Sequence, residues 1–278
     1  MPTERNASFQ TSHGGVFQSL VANRSLVYQL TRRSIAGRYR GSVAGIAWSF
    51  VIPILMLTVY TLVFGYIFNM RFNREEEGGN LDFAVFLFAG IVVHGFLAEC
   101  LNRSPNLIVG NAQYVKKIVF PIECLTWIAV FTALFQTAIS LVILNIFILI
   151  VEGTLQWTSL LAPVVLLPLL ILATGVVWLI GALSVYVRDF AQLMGVLATL
   201  MLFLSPVFYP LSIVPQPLRS ILYLNPISFI IEQIRRTVIE GQLPDWTGLG
   251  IYTLVALGIA WLGFKLFSRM RRGFADVL

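Results

Sequence analysis

Residues 46–68 read IAWSFVIPILMLTVYTLVFGYIF, without one charged side chain. A helix rises about 1.5 Å per residue and the hydrocarbon core of a bilayer is about 30 Å thick, so about 20 apolar residues cross it. Ile46–Phe68 is long enough and is read as a first span. Working outward along the chain, five more apolar runs qualify: Phe83–Leu101, Leu125–Val151, Ser159–Val187, Phe190–Tyr209 and Trp246–Phe267. The expected fold is an all-α membrane protein with six transmembrane helices.

Composition agrees. Hydrophobic residues make up 58% of the 278-residue chain and charged ones 12%, against about 45–50% and 25% in soluble domains. Mean hydropathy is +0.83. That content also excludes intrinsic disorder. Two cysteines, Cys100 and Cys124, do not make a disulfide scaffold and are read as structural thiols. The net charge of +6 is not taken as a nucleic-acid footprint, because basic residues in membrane proteins sort by loop. Residues 1–15 carry Glu4, Arg5 and His13 without an apolar core, so no signal peptide is expected.

Loop charge sets the orientation. With the N-terminus in the cytoplasm, Arg5, Arg24, Arg32, Arg33, Arg38 and Arg40 lie inside. So do Arg103, Lys116, Lys117 and Arg188, and finally Lys265, Arg269, Arg271 and Arg272. Only Arg71, Arg74, Arg219, Arg235 and Arg236 fall outside, so the bias favours both termini inside. Leu218–Ile239 is apolar enough to suggest a seventh span. It holds Arg219, Glu232, Arg235 and Arg236 and is interrupted by Pro226. A charge near a span centre costs about 2.5–3.5 kcal/mol, so the region around 206–246 is read as short helices on, or dipping in from, the outer face.

Residues 1–44 form a cytoplasmic N-terminus and 45–278 the membrane domain. Within the first, Val16–Arg40 is raggedly amphipathic, with Leu20, Val27 and Leu30 opposite Gln18, Ser25 and Gln29. Its arginine-rich end suits anionic head groups. Asn106–Phe120 is too polar to span and is long enough for a short cytoplasmic helix. Each segment is either a docking element or a plain surface loop.

Chemistry is sparse. There is no G-x-x-x-x-G-K-[ST] phosphate loop, so ATP hydrolysis is not expected of this chain. His13 and His94 stand alone, giving no metal site, and no catalytic residue set emerges. His94 is read as a hydrogen-bonded helix residue. The spans hold almost no ionisable residues beyond Glu99 near an inner end, which argues against a proton-coupled carrier. Tyr60, Phe64 and Phe68 share one helix face, and Phe203, Phe208 and Tyr209 cluster near the end of the fifth span. They form either an interfacial aromatic belt or the wall of a pathway on which sugar rings stack.

The run Arg38-Tyr39-Arg40-Gly41-Ser42, followed by Gly45, Trp48, Pro53, Tyr60, Val63 and Phe64, resembles the opening of the ABC-2 type exporter permeases. The likeness is greatest to the branch that exports O-antigen, capsule or teichoic acid. Tyr114–Pro121 is similar to that family's cytoplasmic helix between the second and third spans. Tyr186–Asp189 is similar to its next inner turn, and Ser205–Tyr209 with Asn225-Pro226 to its outer re-entrant region.

The resemblance implies a homodimer in the bacterial inner membrane, with two copies of a separate ATP-binding cassette subunit that binds ATP and Mg. The cargo is implied to be a glycan on a polyprenyl diphosphate or similar lipid. Arg32, Arg33, Arg38, Tyr39 and Arg40 would form an inlet gate for the lipid diphosphate, or merely anchor head groups. Trp48, Tyr60, Phe64, Phe68, Phe203, Phe208 and Tyr209 would line the glycan pathway. Asn111, Tyr114, Lys116, Lys117, Arg188 and Asp189 would dock the ATPase. Competing readings are an ABC-2 permease for a drug, lipid or peptide, a membrane glycosyl- or acyltransferase, and a channel without an ATPase; the enzyme would need a catalytic acidic or His group at the membrane surface, and the outer acids Glu75, Glu76, Glu77 and Asp82 are read as a solvated charge run.

Overall fold

The computed structural model describes residues 18–67, 82–116 and 120–278, and the regular elements within them are all helical. The principal helices are α1 Arg24–Arg38, α2 Gly45–Ile67, α3 Asp82–Arg103, α4 Cys124–Glu152 and α5 Ala162–Tyr186. They continue with α6 Phe190–Phe203, α7 Gln216–Leu224, α8 Pro226–Val238 and α9 Trp246–Met270. Five helical stretches among the described residues are long and apolar enough to cross a bilayer: Gly45–Ile67, Phe83–Arg103, Cys124–Val151, Trp157–Tyr186 and Trp246–Gly273.

The expected fifth span, Phe190–Tyr209, is shorter as a helix. α6 stops at Phe203 after 14 residues, about 21 Å of rise. Turns follow it toward Pro206 and Pro210, where ring and missing N–H oppose helix. Pro226 divides the next apolar stretch, as its sequence position suggested. α7 ends at Leu224, and the Asn225 Oδ1 accepts from the Ile227 N–H at 3.3 Å to cap α8. The Asn225 Nδ2 donates to Met201 O at 2.8 Å and Leu204 O at 3.0 Å, tying this cap to the end of α6.

Three packings organise the bundle. α8 buries Ile227, Ile230, Ile231, Ile234 and Val238, a helical stripe set against α3 and α5. α5 and α9 cross closely because Gly175 faces Ala260 and Gly263: a Cβ on Gly175 would lie 2.6 Å from Ala260 Cα. Small residues let helix backbones approach where lipid removes the hydrophobic drive to associate. At one end, Val27 of α1 joins Ile108, Cys124, Val185, Phe267 and Phe274 around the Trp127–Trp178 edge contact, whose centroids are 5.4 Å apart. Cys100 and Cys124 are both free and buried, in keeping with a structural role.

Candidate functional site

The end of the bundle that gathers α1, the short helices within 106–116 and the C-terminal helix is the first part of the site. α1 buries Val27 and half-buries Leu30, leaving Ser25 and Gln29 exposed, which is the face the sequence pattern indicates. Its arginines divide. Arg38 Nη2 donates to Glu99 Oε1 of α3, and the same carboxylate oxygen lies 3.3 Å from Arg103 Nε. Tyr39 OH donates to Gln136 Oε1 at 3.2 Å, and Gln136 Nε2 donates to Ser49 O at 3.0 Å. The end of α1 is thus tied to α2, α3 and α4. Arg32, Arg33 and Arg40 are exposed, and of these Arg33 lines a cavity of about 540 Å3 with Ser34, Asn102, Arg103, Asn106 and Tyr114. From the sequence, Arg103 counts only toward topology and Glu99 is a lone acid near a span end. Their i, i+4 spacing is the signal that links them.

The described part of the 106–120 stretch holds two short helices, Asn106–Val109 and Ala112–Lys116. Asn111 Nδ2 donates to Leu107 O at 2.8 Å, and the Tyr114 ring lies 4.7 Å from Phe120. Asn111 and Tyr114 border the same cavity as Arg33, so the expected gate and docking residues share a wall. Arg188 and Asp189 are exposed in the turn joining α5 and α6. The C-terminal helix Phe274–Val277 touches both Ala112–Lys116 and α5, which brings the two docking segments to one end of the bundle. Arg271 Nη1 donates to the buried Glu123 carboxylate at 3.0 Å and fixes this end to the start of α4. Phe68, Lys117 and the acidic run 75–77 lie outside the described residues, as does the side chain of Lys116.

The aromatic residues form two groups. Tyr60 and Phe64 are half-buried, 6.4 Å apart, and Phe64 continues to Phe83 at 5.6 Å and so to Phe86. Phe203 and Phe208 stack at 5.8 Å, with Tyr209 OH donating to Phe203 O at 3.0 Å. Trp48 is partly exposed at the start of α2. His94 bonds the Ala198 carbonyl of α6 through Nε2 at 2.9 Å, the hydrogen-bonded role its sequence position suggested.

The second part of the site was missed by sequence reasoning. Arg235 of α8 is 4% exposed. Its Nε donates to Phe86 O at 3.1 Å, Nη1 to Pro206 O at 2.5 Å and Nη2 to Val207 O at 2.9 Å. The guanidinium carbon stands 3.2 Å over the Phe86 ring. Burial pushes its pKa down to about 9, which leaves it a cation at neutral pH. Gly90 makes room: a Cβ there would meet Arg235 Nη2 at 2.9 Å and Val207 Cα at 3.1 Å. One side chain therefore clamps α3, α8 and the turn after α6 together. Nearby, Tyr223 OH donates to Glu232 at 3.3 Å, and burial raises the pKa of the Glu232 carboxyl.

Several long apolar helices, with a basic helix packed across one end and a partly polar cavity beneath it, describe a multi-pass membrane protein. Comparison with known proteins agrees. The family model for ABC-2 type transporters matches residues 25–239, and the chain belongs to this family. It is 28% identical over 261 residues to the O-antigen export system permease protein RfbA of Myxococcus xanthus, covering 93% of this chain and 97% of that protein. It is 22% identical to the O-antigen export system permease protein RfbA of Klebsiella pneumoniae, over 91% and 95% of the two chains. The polysialic acid transport protein KpsM of Escherichia coli is 24% identical, over 87% and 92%.

Proposed function

We propose that this chain is the permease subunit of an exporter that moves a lipid-linked polysaccharide, such as O-antigen, from the cytoplasmic to the outer side of the inner membrane. The observation that carries this reading is similarity over nearly the whole chain to permeases of O-antigen export. In this reading the chain crosses the membrane six times, with α6 and the turns after it as the fifth crossing, and both termini lie in the cytoplasm; the loop charges support it. Two copies of the chain pair, and two copies of an ATP-binding cassette subunit bind ATP and Mg and drive transport.

The chain's own residues have separate tasks. Arg33, Arg38 and Arg40 offer guanidinium forks to a lipid diphosphate. Asn111, Tyr114, Arg188 and Asp189 present one surface to the ATPase, and nucleotide closure there pushes on the wall that Tyr114 shares with Arg33. The glycan advances along Trp48 and the aromatic residues of α2 and the end of α6. The test is purification of this chain from native membranes in mild detergent, with ATP turnover assayed on the eluate. A stoichiometric partner carrying a phosphate loop is expected. A chain that purifies alone across several detergents would return the channel reading to the front.

A further inference from the structure

The chain turns back on the bundle after its last long helix. Phe274 is fully buried, with its ring 5.7 Å from Phe267 of α9 and 6.2 Å from Tyr186 at the end of α5. Tyr186 OH donates to Met270 O at 3.0 Å, and a Cβ on Gly273 would lie 2.7 Å from that hydroxyl, so the backbone passes the ring at contact distance. Arg271 reaches the other way, to the carboxylate of Glu123, which is 1% exposed. A buried carboxylate stripped of its cation is costly, so this pair pins the segment to the start of α4. A helix as short as Phe274–Val277 does not hold itself, and these anchors fix its place against Ala112–Lys116 and α5.

Arg272, Asp276 and Val277 stay exposed, at the end of the bundle that also exposes Arg188 and Asp189. A partner that touches both Tyr114 and the Arg188–Asp189 turn has to lie across what joins them, and Phe274–Val277 touches both Ala112–Lys116 and α5. One cation, one anion and one aliphatic side chain suit a protein partner better than an anionic head-group layer, which selects basic residues. We propose that residues 271–278 are a third contact for the ATP-binding subunit, joining the segments that carry Tyr114 and Arg188 into one surface, with the Arg271–Glu123 pair as the positioning element. The partner's identity rests on the export reading. Thrust from that subunit then reaches α9 and the start of α4 directly, as well as through the 106–116 stretch.

The test uses the full chain in the complex it forms in native membranes. A photoreactive benzoylphenylalanine replaces Val277, and a control replaces Leu160, which is 80% exposed at the opposite end of α5. Val277 is expected to give an adduct with the ATP-binding subunit and Leu160 none. The pair Asp276→Lys with Val277→Lys alters only exposed side chains, so the melting temperature should stay put while affinity for the ATP-binding subunit falls about tenfold. Arg271→Gln should lower the adduct yield at Val277, and Arg271→Lys, which keeps the cation, should restore most of it.

Adducts with lipid alone assign this face to head groups and overturn the proposal. So does unchanged affinity in the double lysine variant. Equal adduct yields in Arg271→Gln and wild type overturn the positioning role of the ion pair. Absence of any co-purifying ATP-binding subunit overturns the export reading and this contact with it, whereas a co-purifying subunit that Val277 does not reach overturns the contact alone.

Discussion

Arg235 and Arg38 are both held by oxygen acceptors, yet they sit in opposite physical regimes. Arg235 is 4% exposed, stacked on Phe86 and satisfied by three main-chain carbonyls from two segments. Arg38 is exposed and bonded to one carboxylate that Arg103 also uses. A buried charge without its partners is costly, whereas an exposed ion pair contributes little. The first arrangement fixes three segments to one another, and the second adds little to holding its end of the bundle. The chain uses one residue type as a rivet at the turn after α6 and as a latch at the end of α1.

Removing the rivet is the strongest way to test this contrast. Arg235→Ala leaves three carbonyls without donors and opens a void, at a cost of about 3–5 kcal/mol. Tryptophan fluorescence during heating in detergent should show a large fall in Tm, and Arg235→Lys should fall between that variant and wild type. A Tm indistinguishable from wild type would erase the distinction between the two arginines.

Gly90→Ala attacks the same clamp from the other side. The new methyl crowds Arg235 Nη2 and the Val207 backbone, and overpacking of this kind costs about 1–3 kcal/mol. Measured as a double-mutant cycle, Gly90→Ala and Arg235→Ala should not add, because both act on one contact.

The smallest effect on stability belongs to the latch. Arg38→Ala with Arg40→Ala should change unfolding by no more than about 1 kcal/mol. Surface glycan should nonetheless fall, with co-purification of the ATPase intact. Unchanged glycan would leave these arginines as head-group anchors only.

Much of this was legible beforehand because it follows from local rules. Apolar runs near 20 residues mark helices, and Pro226 splits 218–239 wherever the rest of the chain goes. The buried face of α1, centred on Val27, is visible as period. Other features depend on residues distant in sequence. Arg235 meets Phe86 across 149 positions, and Tyr39 meets Gln136 across 97. No local pattern marks Arg235 as buried, and charge counting placed it with the outside loops. The contrast between α2 and α5 is of the same kind. Both are apolar throughout, yet 22% of the first lies inside the fold against 61% of the second.

Sequence alone determined the apolar, helical character of this protein, the positions of five of its long apolar helices, and the family likeness carried by Arg38–Ser42. Those follow from hydropathy, helix rise and proline sterics, each acting within a few residues. Tertiary structure decided which arginine is rivet, which is latch and which lines the cavity. It also decided that Gly175 is a contact surface and that Glu99 pairs with the end of α1. Burial and hydrogen-bond partnership are properties of where helices cross, and a crossing is set by the whole bundle rather than by any one segment.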